Sequence, residues 1–133
     1  MSKKEHDDFV KLIQNLIEKL KPQINRHEFE YINQTKRGSI SENIDLLVQF
    51  KDTIIIFECK LNKNYTGRSD QLDKHFKHLN LLKNKLTRSK KLYDFNKIIR
   101  IYAIRDQNYL INIDTGFSTD IDPSFKNNPK IIY

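Results

Sequence analysis

The spacing of apolar residues divides the first half of the chain into a helix and three strands. Over residues 4–21 an apolar side chain recurs every three or four positions, which predicts an amphipathic helix ended by the proline that follows. Residues 27–33 alternate polar and apolar, as a half-buried strand does. Residues 44–50 and 53–59 are rich in β-branched and aromatic residues, so we expect a hairpin of two buried strands that turns at Lys51-Asp52.

A second helix and two further strands are expected in the second half of the chain. Ser69 is a suitable N-cap for the helix, and residues 97–104 and 109–113 have strand patterns. The apolar stripe of this helix consists of Leu72, Phe76, Leu79, Leu82 and Leu86. The tail from about residue 115 is irregular. The order of elements predicts one α/β domain over residues 1–133, with a central mixed sheet flanked by helices.

Two carboxylates interrupt the apolar strands of the predicted hairpin. A two-residue turn puts Asp45 directly opposite Glu58, and Lys60 projects from the same face two positions beyond. Opposed carboxylates destabilise a strand pair unless a positive charge lies between them. A divalent ion such as Mg²⁺ would supply that charge, and a lysine beside it can orient an attacking water. The alternative is structural: Asp45 caps the strand entrance, while Glu58 and Lys60 form a solvated ion pair.

The same residues resemble a known family. Asp45, followed by Glu58-Cys59-Lys60 on the next strand, resembles the D…(D/E)-x-K core of the PD-(D/E)XK nuclease superfamily. Residues 71–79, Q-L-D-K-H-F-K-H-L, resemble the Q-L-x-x-Y helix that follows this core in several branches. The resemblance spans about residues 27–82. It departs from the family pattern at Ile44, where proline is usual, and at the tyrosine of the helix motif, which has no clear match.

This resemblance implies a restriction-endonuclease-like fold with an αβββαβ core and a site for Mg²⁺ or Mn²⁺. Asp45, Glu58 and the backbone carbonyl of Cys59 would be the metal ligands. Lys60 would position the attacking water, and the glutamine of the helix motif, Gln71, would assist. The superfamily often adds an acidic ligand from the first helix. Glu5 is the best-placed candidate because it falls near the centre of the apolar stripe, and His6, equally close, is the weaker one.

Charge points to an anionic partner. The formal net charge is +7, from 24 basic and 17 acidic residues, which favours nucleic acid over a membrane surface, although lysine-biased codon usage would give the same balance. Six side chains are candidates for nucleic-acid contacts, because they combine cations, an aromatic ring and a histidine expected at the surface. They are Lys36, Arg37, Lys63, Tyr65, Arg68 and His75. The first two belong to a predicted loop over residues 34–42.

Cysteine use and hydropathy indicate where the chain works. Cys59 is the only cysteine, so no disulfide forms within one chain, which fits a reducing intracellular compartment. Position 59 alternates away from Glu58 and Lys60, so its thiol is expected in the core. No apolar run approaches the roughly 20 residues of a membrane span, and the polar N-terminus does not resemble a signal peptide.

The sequence therefore predicts a metal-dependent nuclease, with DNA a better substrate than RNA and endonucleolytic cleavage expected. A homodimer is compatible with this fold, because many of its members cut two strands with two sites. One alternative is a nucleic-acid-binding domain that keeps the fold without catalysis. Another is a scaffold for an acidic protein, which would leave the opposed carboxylates unexplained.

Overall fold

Strands and helices follow one another in the order that the apolar pattern predicts. The structure, a computed structural model, describes residues 3–62, 70–116 and 118–121. The elements are α1 (Lys3–Glu18), β1 (Ile24–Thr35), β2 (Gly38–Phe50), β3 (Thr53–Lys60), α2 (Asp70–Arg88), β4 (Lys97–Ile104), β5 (Tyr109–Asn112) and β6 (Ser118–Asp120). The predicted α/β class is confirmed. A short strand, β6, lies in the region predicted as irregular; the rest of that tail is outside the described residues.

The strands form one mixed sheet in the order β1-β2-β3-β4-β5-β6. Strands β3 and β4 are parallel, and every other neighbouring pair is antiparallel. The chain passes through α2 between the two parallel strands, because a parallel pair needs a crossover connection. In the central hairpin Phe50 pairs with Thr53 and Leu47 with Ile56, so the predicted register is confirmed as far as Leu46 and Phe57; the pairing ends there and does not extend to Asp45 and Glu58.

Each face of the sheet is covered by one helix. Leu46, Val48 and Phe57 pack with α1, whereas their neighbours Leu47 and Ile56 pack with α2. This alternation follows from the two-residue period of a strand. Cys59 is fully buried in the core on the α1 side, as predicted for its thiol. Residues 46–50 of β2 and strand β3 are therefore buried on both faces, which explains why these segments are mostly apolar.

The predicted loop over residues 34–42 is wrong. Strand β1 continues to Thr35 and β2 begins at Gly38, so only Lys36 and Arg37 lie in the turn. Gly38 adopts a φ of +117°, which residues with a side chain rarely adopt. Both strands remain regular although their side chains are polar, because both faces are exposed here and no burial pattern marks the strands in the sequence.

The first helix is shorter than predicted, and its buried stripe is shifted. It ends at Glu18 rather than Lys21, which adopts the left-handed φ of +56° that is common just beyond a helix end. Val10 is buried, whereas Leu12, expected in the stripe, is 49% exposed.

Helix α2 is also rotated relative to the prediction. Phe76 is exposed, and His75 takes its place in the interior. Sequence periodicity treats the two positions alike, since both follow Leu72 by about one turn. The structure favours His75 because Tyr31 of β1 provides it with a hydrogen-bond partner in the interior.

Candidate active site

Asp45 lies where strands β2 and β3 separate. The backbone pairing of the two strands ends at Leu46 and Phe57. Beyond this last pair, the N–H of Cys59 donates to Asp45 Oδ2 at 2.8 Å. The carboxylate thus replaces a backbone acceptor, and the gap between the diverging strands is closed by a side chain. Asp45 is half-buried at this opening.

The local backbone is irregular at the same level of the sheet. Ile44 packs with the α2 core and Leu46 with the α1 core, although residues two apart in a regular strand share a face. On the neighbouring strand, Glu28 occupies the register position opposite Asp45 and adopts a φ of +52°, which is uncommon for a residue with a side chain. The alternation of both strands is therefore interrupted at Asp45.

Glu58 and Lys60 form a buried ion pair beside Asp45. Lys60 Nζ lies 3.1 Å from Glu58 Oε1, and Glu58 is only 7% exposed. Burial, and secondarily the negative charge of Asp45, raise the pKa of Glu58 to about 7, although Lys60 acts in the opposite direction. The two carboxylates are therefore close enough to repel each other, and Lys60 pairs with Glu58, the more buried of the two.

His6 of α1 is the residue that completes this cluster. Its Nε2–H donates to the carbonyl oxygen of Cys59 at 3.0 Å, and the same nitrogen lies 3.4 Å from Asp45 Oδ2. The hydrogen bond with Asp45 raises the pKa of His6 to about 9, against the lowering caused by burial. We call Asp45, Glu58, Lys60 and His6 the carboxylate cluster.

Glu5, the ligand expected from the first helix, has a different partner. Its side chain is exposed and forms an ion pair with Arg105 at 3.2 Å. The contact of α1 with the cluster comes from His6, the candidate that sequence reasoning ranked second. The helical angle placed both residues near the apolar stripe, and the preference for an acidic ligand came from the family resemblance alone. Only the packing angle of α1 on the sheet separates them.

His75 is not at the surface, so the prediction that it is an exposed phosphate contact is wrong. It is 1% exposed, and its Nδ1 lies 2.8 Å from the hydroxyl oxygen of Tyr31. Burial and the charge of Lys74 lower the pKa of His75 to about 4, so the imidazole is neutral at pH 7. His78 is half-buried and stacks on the Tyr31 ring, with 5.9 Å between ring centroids.

The remaining predicted site residues fall into two groups. Lys36 and Arg37 are exposed in the turn between β1 and β2, and Gln71 is exposed in the first turn of α2. The second group, Lys63, Tyr65 and Arg68, lies outside the described residues, so these predictions remain predictions.

An open cleft borders the carboxylate cluster on the α1 side. Its volume is about 310 Å³, and it extends from Asp45 and His6 past His27 and Glu28 to Lys3. Charged and polar side chains of both signs line most of the cleft, and Val10 is its one apolar residue, which suits a polar or charged ligand.

No complete metal-binding group is present within the described ranges: no three His, Cys, Asp or Glu side chains are placed so that they could hold an ion together. Neither described helix is long and apolar enough to cross a bilayer.

Comparison with known proteins gives no match to any family model, curated protein or solved structure.

Proposed function

We propose that the protein is a metal-dependent nuclease that hydrolyses phosphodiester bonds, with DNA as its substrate. One observation supports this most strongly. Asp45 and Glu58 come together beside Lys60 at the point where β2 and β3 separate, and Glu58 is buried there without full charge compensation. A purely structural ion pair would not need a second carboxylate beside it. The structural alternative expected a solvated ion pair between Glu58 and Lys60, but Glu58 is buried.

The topology supports a restriction-endonuclease-like fold as part of this proposal. An antiparallel β1-β2-β3 meander follows α1, and α2 then leads to β4 parallel to β3. This corresponds to the αβββαβ order implied by the D…E-x-K resemblance. Strands β5 and β6 extend the sheet beyond that core.

The donor set fits a hard divalent ion. Mg²⁺ is commonly held by one or two carboxylates together with waters and substrate phosphate, so an incomplete protein shell is what such an ion uses. Asp45, Glu58 and the carbonyl of Cys59 would be the protein ligands of Mg²⁺ or Mn²⁺. When bound, the ion would stabilise the charge that develops on the phosphate. His6 contacts two of these three ligands, so its ring has to turn away to admit the ion.

Two side chains would do the remaining work at the scissile phosphate. Lys60 would hold the attacking water and donate a hydrogen bond to the charged phosphate oxygen, while its contact with Glu58 keeps Nζ at the mouth of the site. Gln71, exposed in the first turn of α2, would contact the bound strand.

Cleavage of labelled duplex DNA, single-stranded DNA and RNA with Mg²⁺, Mn²⁺ or EDTA tests the proposal. Asp45→Asn and Lys60→Ala should each lower the rate by about 10³-fold, and circular dichroism should show an unchanged fold. Lys11→Ala is the matched control, because this exposed lysine of α1 is outside the cluster. A Lys60→Ala protein as active as the Lys11→Ala protein would exclude the assignment.

The contact of His6 favours one second candidate, a nucleic-acid-binding domain without catalysis. The His6 imidazolium already contacts Asp45 and the Cys59 carbonyl. A metal ion would have to replace these contacts, which weakens its binding. In that case the wild type and the His6→Ala variant would bind DNA in a salt-dependent manner, and neither would cut it with any metal.

A further inference from the structure

The outer half of the β1–β2 hairpin extends beyond the rest of the sheet. Strand β3 pairs with residues 46–50 of β2, whereas β1 pairs with β2 as far as Thr35 and Gly38. Residues 32–41, which we call the β1–β2 ribbon, therefore form two strands and a turn, with no third strand beside them in the part of the chain that the structure describes. Every described side chain of the ribbon except the half-buried Asn33 is exposed.

We propose that the β1–β2 ribbon enters the major groove of duplex DNA and positions it for cleavage. Four residues on each strand at about 3.3 Å per residue give a projection of about 13 Å. The major groove of B-DNA is about 12 Å wide and 8.5 Å deep and admits a two-stranded β-ribbon, whereas the undistorted minor groove is only about 6 Å wide. The major groove of duplex RNA is too narrow for side chains to enter.

The side chains of the ribbon suit a nucleic acid. Residues 32–41 contain no Asp or Glu, and Lys36 and Arg37 lie at the tip. Gln34 and Ser39 are cross-strand partners, and Ser39 Oγ donates to Gln34 Oε1 at 3.0 Å, which orients the amide. Asn and Gln amides can pair with the adenine edge, and an isoleucine can contact the thymine methyl group. The ribbon thus offers phosphate contacts at its tip and base contacts along its length.

The base of the ribbon is held by α2 on both strands. Tyr31 of β1 is buried and bonded to His75, and Lys74 Nζ lies 2.8 Å from Glu42 Oε2 of β2. Tyr31 and Glu42 are themselves cross-strand partners. The ribbon therefore leaves the sheet at a fixed angle, and a preorganised element loses less entropy when it binds.

The ribbon and the carboxylate cluster are parts of one strand. Asp45 lies seven positions after Gly38 in β2, which corresponds to about 23 Å along the strand. A groove contact at the tip would thus lie within about 23 Å of a phosphate at Asp45. This inference rests on the proposed nuclease function for its cleavage step, but the binding step can be tested independently.

The apolar residues of the ribbon do not favour a protein partner. Ile32 and Ile40 are 40% and 48% exposed. Ile32 pairs with Ser41 and Ile40 with Asn33, so the two isoleucines occupy opposite faces. Neither face has a contiguous apolar patch of the kind that dimer interfaces need.

Binding is measured by fluorescence anisotropy with a labelled DNA duplex of mixed sequence, its single strands and the matching RNA duplex, in EDTA. Wild type should bind the DNA duplex more tightly than the other two. Lys36→Gln/Arg37→Gln should weaken duplex binding about 10-fold and reduce the salt slope by about 2, since each lost phosphate contact lowers it by about 1. The control, Lys11→Gln/Lys19→Gln, removes the same charge from exposed positions on or just after α1 and should bind more like wild type.

Gln34→Ala tests base contact at the ribbon. Selection from randomised duplexes should show a relaxed preference at one position for this variant, with affinity for a random duplex nearly unchanged.

Three results would overturn the ribbon proposal. The first is equal weakening by the ribbon and control pairs, and the second is equal affinity for DNA and RNA duplexes. The third is a dimer in sedimentation velocity that Ile32→Ser/Ile40→Ser dissociates, which would make the ribbon a contact between copies. Duplex binding through the ribbon without metal-dependent cleavage would instead support the ribbon and reject the nuclease.

Discussion

Gln49 and Glu58 are buried polar residues of the same hairpin, and their surroundings differ sharply. The amide nitrogen of Gln49 donates to the carbonyls of Lys51, Tyr93 and Asp94 at 2.9, 3.1 and 3.3 Å, and its oxygen accepts from the Tyr93 N–H at 3.0 Å. Glu58 has Lys60 as an ion-pair partner and Asp45 as a like charge nearby.

Gln49 has the surroundings of a structural polar group, whereas we propose that Glu58 is a functional one. Gln49 joins the hairpin to the segment before β4, and both of its polar atoms are satisfied by the backbone. The surroundings of the buried Glu58 disfavour its ionised form, as its raised pKa indicates. A carboxylate kept in surroundings that disfavour its charge is expected to contribute to binding or catalysis rather than to stability.

Exchanging the carboxylate for an amide at the functional position should have the largest effect. Glu58→Gln should lower metal-dependent cleavage by about 10³-fold, because a neutral amide is a poor ligand for a hard ion. The free energy of unfolding at pH 7 without metal should rise by about 1 kcal/mol, since a buried charge beside Asp45 is removed. Urea denaturation in EDTA and a cleavage assay measure the two quantities. A less stable Glu58→Gln protein would contradict the comparison.

The reciprocal exchange should affect stability alone. Gln49→Glu puts acceptor oxygens against the carbonyls of Lys51 and Tyr93, and we expect the free energy of unfolding to fall by about 3 kcal/mol. Cleavage per folded molecule should remain at the wild-type rate. Urea denaturation measures the free energy of unfolding and the folded fraction, and a cleavage assay divided by that fraction gives the rate per folded molecule. Loss of cleavage in a fully folded Gln49→Glu protein would show that the two ends of the hairpin are coupled.

His75 extends the comparison to a buried polar group that titrates. Its pKa is about 4 when folded and about 6.5 when exposed, so the unfolded chain binds a proton below pH 6.5 that the folded chain does not bind. The free energy of unfolding should therefore decrease as the pH is lowered, by about 1 kcal/mol from pH 6.5 to pH 5.5. His75→Gln keeps a polar partner for Tyr31 and should lack this share of the pH dependence. If the free energy of unfolding of wild type and of His75→Gln changes equally with pH, His75 does not cause this pH dependence.

The smallest effect is expected at Glu5. Glu5→Ala removes an exposed ion pair with Arg105 and should change cleavage by less than about twofold. His6→Ala, one residue away, removes contacts with Asp45 and Cys59 and should change the Mg²⁺ concentration needed for half-maximal cleavage. A metal titration of both variants makes the comparison. A larger shift for Glu5→Ala would restore Glu5 as the ligand from α1.

Local pattern was sufficient for the hairpin and its carboxylates. The apolar runs are long, and a slip of one residue would turn every side chain to the other face, so the register of β2 and β3 follows from the sequence. The same alternation places the thiol of Cys59 in the core. The β1–β2 ribbon was not predicted because its strands are exposed on both faces, so no alternation of apolar and polar residues marks them.

The sequence by itself determined which residues are chemically out of place, namely Asp45 and Glu58 in apolar strands, and the element order that places them. Only the tertiary structure decided which partners surround them. In α1, His6 contacts Asp45 and the Cys59 carbonyl while Glu5 pairs with Arg105, and in α2 His75 rather than Phe76 turns inward. In both cases the helical period places two adjacent residues almost equally close to the buried face. The rotation of a rigid helix on the sheet, set by all its contacts together, separates them.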